Sequence, residues 1–375
     1  MKFRRDAPAL LISAVLVVIA LFALLSHQLF SGLTSAIEAS QIELMRSILD
    51  SSLHSAKERA LAHAEMIADL PSVRKIFEAR DRPALLAETQ AMFKVQKEKH
   101  GVDQAQFHIP PATSFLRLQD PEKFGDDLTA FRPLVVAVNR EHTAKKGFAI
   151  ARTGPAIFGV TPITNDQGQH IGSFEIGIDL GSVLDGMKTS FALESAVYLD
   201  ESPLKQFAKG VKPEIFSDQN RVGKYIRFYS TNTALFQSMI VDKDLNGTED
   251  GTLIRAARGA TYGVIIHPLR SGSGETLGMV VVARDFSGSR SAAGRSLVWQ
   301  ILFALFAVVL LAGAILIVLR GKLLRPLGDL SNRFEALANG DAGQPAPDSA
   351  DMCDELSSLA QHYERLRKDA SDGKS

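Results

Sequence analysis

Hydrophobic and polar positions fall into regimes of different period along this chain. Residues 7–25, APALLISAVLVVIALFALL, hold no charge, and neither do residues 297–319. A helix needs ~20 apolar residues to cross ~30 Å of hydrocarbon, so the pattern predicts membrane spans at 7–27 and 297–319. After the first, Leu33, Ile37, Leu44, Ile48, Leu53, Leu61 and Ile67 recur at helical spacing, with Ala56, Ala60 and Ala64 between them and no proline before Pro71. This predicts one helix over 31–69 continuing the span, ~58 Å long at 1.5 Å per residue. Such a helix cannot bury its stripe on one small domain along its whole length. It is expected to pack on its own domain and on a symmetry mate; the alternative is a purely intramolecular core helix.

Shorter helices are predicted at 72–79 and 83–98, the second opened by Arg82–Pro83. From about Val102 the period changes to two, in short runs punctuated by turn residues. Strands are predicted at 104–109, 113–118, 147–153, 155–164 and 169–179, with a helix over 127–140 separating the second from the third. A turn over Asn165–Gly168 joins the last pair as a hairpin. That order builds an antiparallel sheet with helices on one face. A looser copy follows: helix 181–190, strands 195–199 and 223–230, helix 233–240, then strands near 252–258, 261–269 and 276–284. Residues 271–274 take the place of the 165–168 turn, and the closing strands IGSFEIGIDL and LGMVVVARDF are alike. The fold class is therefore α+β, with two tandem copies of one module on a long N-terminal helix.

Charge and composition narrow the function. The 375 residues carry 42 Lys plus Arg and 42 Asp plus Glu, a formal charge of zero. Nucleic-acid binders show a basic domain or stripe, so no nucleic-acid partner is expected. With 46% hydrophobic and 22% charged residues, the chain is not wholly disordered. Cys353 is the single cysteine, which excludes a disulfide framework and a cysteine-based structural zinc site. Lys2, Arg4 and Arg5 precede the first span, and Arg320, Lys322 and Arg325 follow the second. Positive-inside bias then puts both termini in the cytoplasm and residues ~28–296 outside, with Trp299 at the outer mouth of the second span. A cleaved signal peptide fits less well, because its apolar region runs ~7–15 residues and no small-x-small site follows Leu25.

Residues 107–180 carry a resemblance. FHIPPATSFLRLQDPEKFGDDLTAFRPLVVAVN, then GFAIARTGPAIFGVTPI and HIGSFEIGIDL, resemble the double Cache sensor domain of the third type. That domain stands outside the membrane in bacterial chemoreceptors, sensor kinases and cyclic-dinucleotide enzymes. The match is tight over about 75 residues; the flanking helices and the second copy resemble the family in order of elements. The resemblance implies tandem PAS-like modules: a membrane-distal one with a ligand pocket, at 81–190 after the helix of 28–80, and a membrane-proximal one that transmits, at 191–286. Two positions depart from the family's pattern. Ala149 stands where a Glu is common, and Phe158 stands where an Arg is common.

Candidate chemistry concentrates in the first module. Arg117, Arg132 and Arg152 lie on three successive predicted elements, and arginine presents a rigid fork suited to carboxylate or phosphate. The alternative is a network of structural ion pairs with Glu175, Glu122, Asp126 and Asp127. On the strand 172–178, Phe174, Ile176 and Ile178 share one face, leaving Ser173, Glu175 and Gly177 on the other. A carboxylate between small residues suits a concave polar site. Arg117 is expected to point with Phe115, opposite Leu116. His108 and Ser114 complete the candidate ligand-binding set, although a lone histidine before Pro110–Pro111 is more often structural. His142, His170 and His267 are scattered, Ser114 has no nucleophile elbow, and no phosphate-binding glycine loop appears. Neither a metal, a cofactor nor an enzymatic activity is expected.

Beyond the second span, Leu327, Leu330, Phe334 and Leu337 step 3-4-3, as do Leu356, Leu359, Tyr363 and Leu366 after a polar connector over 341–351. Pro-Leu-x-x-Leu, the connector and Asp-Glu-Leu resemble the HAMP relay, a parallel four-helix bundle in a dimer, at 320–370. Two such helices cannot bury a core alone, so homodimerisation is expected. The chain ends at Ser375, so output through a separate cytoplasmic kinase, cyclase or chemotaxis partner is expected. These readings converge on an inner-membrane sensory receptor for a small solute, with the arginines suited to an organic anion. The competing reading is a membrane-anchored scaffold, or a truncated chemoreceptor or kinase, that binds none.

Overall fold

The computed structural model describes residues 3–372 apart from 248, 273, 342, 349–351 and 353, so Lys2, Ser273 and Cys353 lie outside the described residues. The chain forms two compact units, Ala36–Gly288, and Met1–Ser35 with Ser289–Ser375.

The larger unit takes up α1 (Phe3–Ala68) from Ala36 onward, followed by α2 (Pro71–Glu78) and α3 (Arg82–His100). Asp81 caps α3 by accepting a hydrogen bond from the Ala84 amide at 3.0 Å, and Gly101 ends it at φ 70°. Then come β1 (Val102–Ile109), β2 (Thr113–Arg117), α4 (Pro133–Glu141), β3 (Lys145–Ala151), β4 (Gly154–Thr164) and β5 (His170–Asp179). They form an antiparallel sheet of order β2-β1-β5-β4-β3. α4 begins six residues later than its pattern predicts, at Pro133, whose fixed φ suits a first helical turn.

The second sheet repeats this wiring. α5 (Leu180–Phe191) leads to β6 (Glu194–Asp200), α6 (Glu201–Phe207), β7 (Arg221–Val222), β8 (Tyr225–Ser230), α7 (Thr233–Met239), α8 (Asp242–Leu245), β9 (Gly251–Ala257), β10 (Ala260–Arg270) and β11 (Thr276–Asp285). Its order is β7-β8-β6-β11-β10-β9, so each sheet pairs its first strand with the last strand of a three-strand meander. The two hairpin turns match bond for bond. Asn165 N donates to Gln169 O and Gly168 N to Asn165 O, as Ser271 N does to Glu275 O and Gly274 N to Ser271 O.

One apolar core runs through both modules, joining Met45, Leu49 and Ala60 of α1 to Phe107, Phe174 and Ile176 and on to Leu184, Val197 and Val280. Helices lie on both faces of the first sheet, not one: α1 covers this core, while Val135 and Val138 of α4 pack on Phe158 and Val160 opposite. The buried stripe of α1 also differs from the expected one. Met45, Leu49, Leu53, Ala56, Ala60, Ala64 and Ile67 are buried, whereas Ile37 and Leu44 are about half exposed. The alanines allow very close approach: a Cβ built on Gly159 of β4 would lie 2.2 Å from the Leu61 amide nitrogen. Arg46 ties the same helix to the second sheet, donating to Asp250 at 2.9 Å and to Thr252 at 3.2 Å.

In the smaller unit, α9 (Ser287–Val318) passes through a π-helical turn at Leu319–Leu324 into α10 (Arg325–Ala338), and α11 (Asp354–Asp372) follows. Leu330 packs with Leu356, Ala360 and Tyr363, while Leu359 and Leu366 of the second 3-4-3 step are exposed. The helices at Leu11–Ala68 and Gly294–Ala338 each contain a stretch long and apolar enough to cross a membrane.

Candidate functional site

The outer face of the first sheet is polar at one end because of strand alternation and one bulge. In β1, Ala105 and Phe107 enter the core, leaving Gln104, Gln106 and His108 on the other side. In β5 the division is the expected one, with Phe174, Ile176 and Ile178 inward. Register then builds two cross-strand rows, Arg117–Gln106–Glu175 and Ser114–His108–Ser173. Simple alternation would not put both Ser114 and Arg117 on this face, since they are three apart. Leu116 pairs with Phe107 and Ser114 with His108, so Phe115 is an extra residue. Its ring packs edge-on against Phe77, 5.3 Å away. Arg117 therefore does not point with Phe115, as its strand pattern predicts.

The three arginines meet at one cavity of about 520 Å³, together with Lys97, Lys123 and Lys209 and against Asp103, Asp120 and Asp126. Six cations thus face three carboxylates. Two of the arginines are already matched. Arg117 forks onto Asp126, Nη1 to Oδ1 at 2.8 Å and Nη2 to Oδ2 at 2.6 Å, and also donates to Lys123 O. That guanidinium holds the Asp126 carboxyl below its usual range. Arg132 donates to Glu175 Oε1 and lies over the Phe158 ring, 4.0 Å from its centroid. Arg152, just past β3, makes no side-chain hydrogen bond or ion pair among the described residues. Of the other carboxylates, Asp127 accepts from the Thr129 amide, and Glu122 forms no ion pair among the described residues.

His108 and Ser114 are not among the residues that line this cavity. Ser114 Oγ accepts from Gln106 Nε2 at 2.7 Å. His108 is fully buried, with its Nε2 3.7 Å from Glu175 Oε1, and neither ring nitrogen has a hydrogen-bond partner. Burial pushes its pKa down to about 4, with Glu175 opposing the shift. His142 and His170, far apart in sequence, stack with ring centroids 4.3 Å apart. Among the described residues no group of three or more His, Cys, Asp or Glu is placed to hold a metal ion.

A pH dependence follows from His108. Between pH 4 and ~6.5 the unfolded chain holds a proton on this imidazole that the folded chain does not. Stability rises with pH wherever the unfolded state binds more protons, so acidification through this window destabilises the fold, by up to about 1.4 kcal/mol per pH unit. In His108→Gln that part of the slope should vanish from urea midpoints measured at pH 4.5, 5.5 and 6.5. Identical slopes in parent and variant would disprove it.

Sequence reasoning passed over Asp103, Gln104, Gln106 and Lys209 at this cavity. The alternation of VDQAQFH was a usable signal for the two glutamines. Lys209 follows α6, an element that the sequence pattern does not predict although Asp200 caps it in the ordinary way, accepting from Ser202 N at 3.0 Å.

Residues 38–289 match the model of the dCache_3 family, the double sensory domain of two-component sensor kinases. This chain belongs to the double Cache family. Similar solved structures include the periplasmic domain of Vibrio cholerae LuxQ, at 12% identity over 66% of this chain and 99% of that one, TM-score 0.39. The sensor domain of the V. cholerae histidine kinase DctB is 10% identical over 65% and 97%, TM-score 0.38. The ligand-binding domain of the Campylobacter jejuni chemoreceptor Tlp3, in complex with 4-methylisoleucine, is 10% identical over 68% and 92%, TM-score 0.40. No curated protein matches the chain. The two Cache modules differ on their outer faces. The first holds the charged cavity, whereas the second is filled by Tyr198, Tyr225, Phe236, Met239 and Val281.

Proposed function

We propose that this double Cache protein is a two-pass inner-membrane receptor, not an enzyme, whose distal module binds a small anionic solute outside the cell. Arg152 carries the reading: its guanidinium, close enough to Asp126 to act on that carboxylate through space yet with no side-chain hydrogen bond or ion pair among the described residues, lines a cavity whose cations outnumber its carboxylates. The other two arginines hold the walls, Arg117 through the 118–132 loop and Arg132 through Glu175. Binding shifts the population between two states of the sensor, and β11, which runs directly into α9, passes that shift towards the second span. α10 and α11 act as the HAMP-like relay of a homodimer, with output through a separate cytoplasmic protein. The half-exposed Ile37 and Leu44 and the exposed Leu359 and Leu366 support dimerisation, since apolar stripes of this kind are normally covered.

The test is calorimetric titration of the full chain in nanodiscs with acetate, succinate and hexanoate. At least one should bind, and Arg152→Ala should weaken it about tenfold to hundredfold, the worth of a charged hydrogen bond, with the melting point unchanged. Equal binding by parent and variant would refute the assignment, and a flat response to all three would favour a scaffold that senses no solute.

A further inference from the structure

The charged cavity has a neighbour of opposite character. Phe131, Arg132, Ile150 and Phe207 line it and also line a second chamber of about 120 Å³. The rest of that chamber is largely apolar, with Leu134, Phe148, Ala149 and Phe158 from the distal module and Leu277 from the proximal one. Of its charged groups, Arg132 and Glu175 neutralise each other, and Glu275 is exposed to solvent. The two positions at which the chain departs from the resembled pattern, Ala149 and Phe158, both lie in this wall. Alanine leaves room, and phenylalanine makes the surface apolar.

We propose that the site is two-chambered and selects an anion carrying a compact apolar body, such as an aromatic or short-chain aliphatic carboxylate. The anionic head meets Arg152 in the first chamber, and the body fills the second. This rests on the reading of the first chamber as an anion site. The size limit follows from volume: an apolar cavity of ~150 Å³ accepts benzene, so about 120 Å³ sets a single ring or a short chain as the upper bound. A body seated there touches Leu277 of β11 as well as Phe148 and Phe158, whereas the first chamber meets the proximal module only at Gln206, Phe207 and Lys209.

The experiment is calorimetric titration of the full chain in nanodiscs with acetate, butyrate, hexanoate and phenylacetate. Each buried methylene should tighten binding about threefold to fourfold, and phenylacetate should bind at least ~10-fold more tightly than acetate on the same scale. Ala149→Leu, which fills the second chamber, should flatten the series. Equal affinities across the parent's series, or a slope that survives in Ala149→Leu, would overturn the second chamber. The parent series decides the matter even where the variant folds poorly. Equal affinities for all four anions leave the Arg152 site standing, whereas no binding by any of them removes both readings.

Discussion

Alanine at position 159 is expected to unseat α1 from the distal sheet and cost more than ~3 kcal/mol, the upper end of the usual range for overpacking a core. The reason is what the added methyl meets. Its carbon would lie 2.2 Å from Leu61 N, 2.3 Å from Leu61 Cα and 2.4 Å from Ala60 C, so no rotamer change relieves the clash and one backbone must move. Ala56, Ala60 and Ala64 bring the helix this close, and all three are fully buried. Urea unfolding followed by circular dichroism is the check. A Gly159→Ala midpoint indistinguishable from that of the parent would show that the helix can step back at little cost.

The second large effect belongs to the pair Arg132 and Glu175. The carboxylate is 1% exposed and the guanidinium 9%. Glu175→Ala strands the largely buried arginine charge, and removing one partner of such a pair costs about 3–5 kcal/mol. Replacing both, as Arg132→Met with Glu175→Leu, should recover most of that loss, because apolar residues of similar volume avoid the desolvation of two charges. The decisive quantity is the double-mutant coupling among Arg132→Met, Glu175→Leu and their combination. Additive losses in the two single variants and the double variant would mean that the pair does not interact as its geometry requires.

The distal sheet was legible because alternation is a local property. Phe174, Ile176 and Ile178 enter the core as their spacing predicts, and Glu175 is left facing the site. Arg117 defeated the same rule, because the bulge at Phe115 depends on pairing with β1 and on Phe77 in a distant helix. The stripe of α1 was misread for a related reason. Ile37 and Leu44 are as apolar as Met45 and Leu49, and only the position of the sheet selects which face is buried. The arginines were recognised as a set, yet their division into paired and unpaired members depends on where Asp126 and Glu175 arrive in space. The second chamber was invisible to sequence, since Phe207 and Leu277 come from the following module.

The touching backbones of α1 and β4 also set a rule for building hybrid receptors. From Glu38, the first buried residue of the larger unit, the helix is keyed to its own sheet by alanines opposite a glycine. A foreign coil spliced in after that point would bring bulkier side chains to a surface with no room for them. Any graft of this sensing head onto another anchor must therefore place its seam ahead of Glu38 and carry the remaining helix across intact.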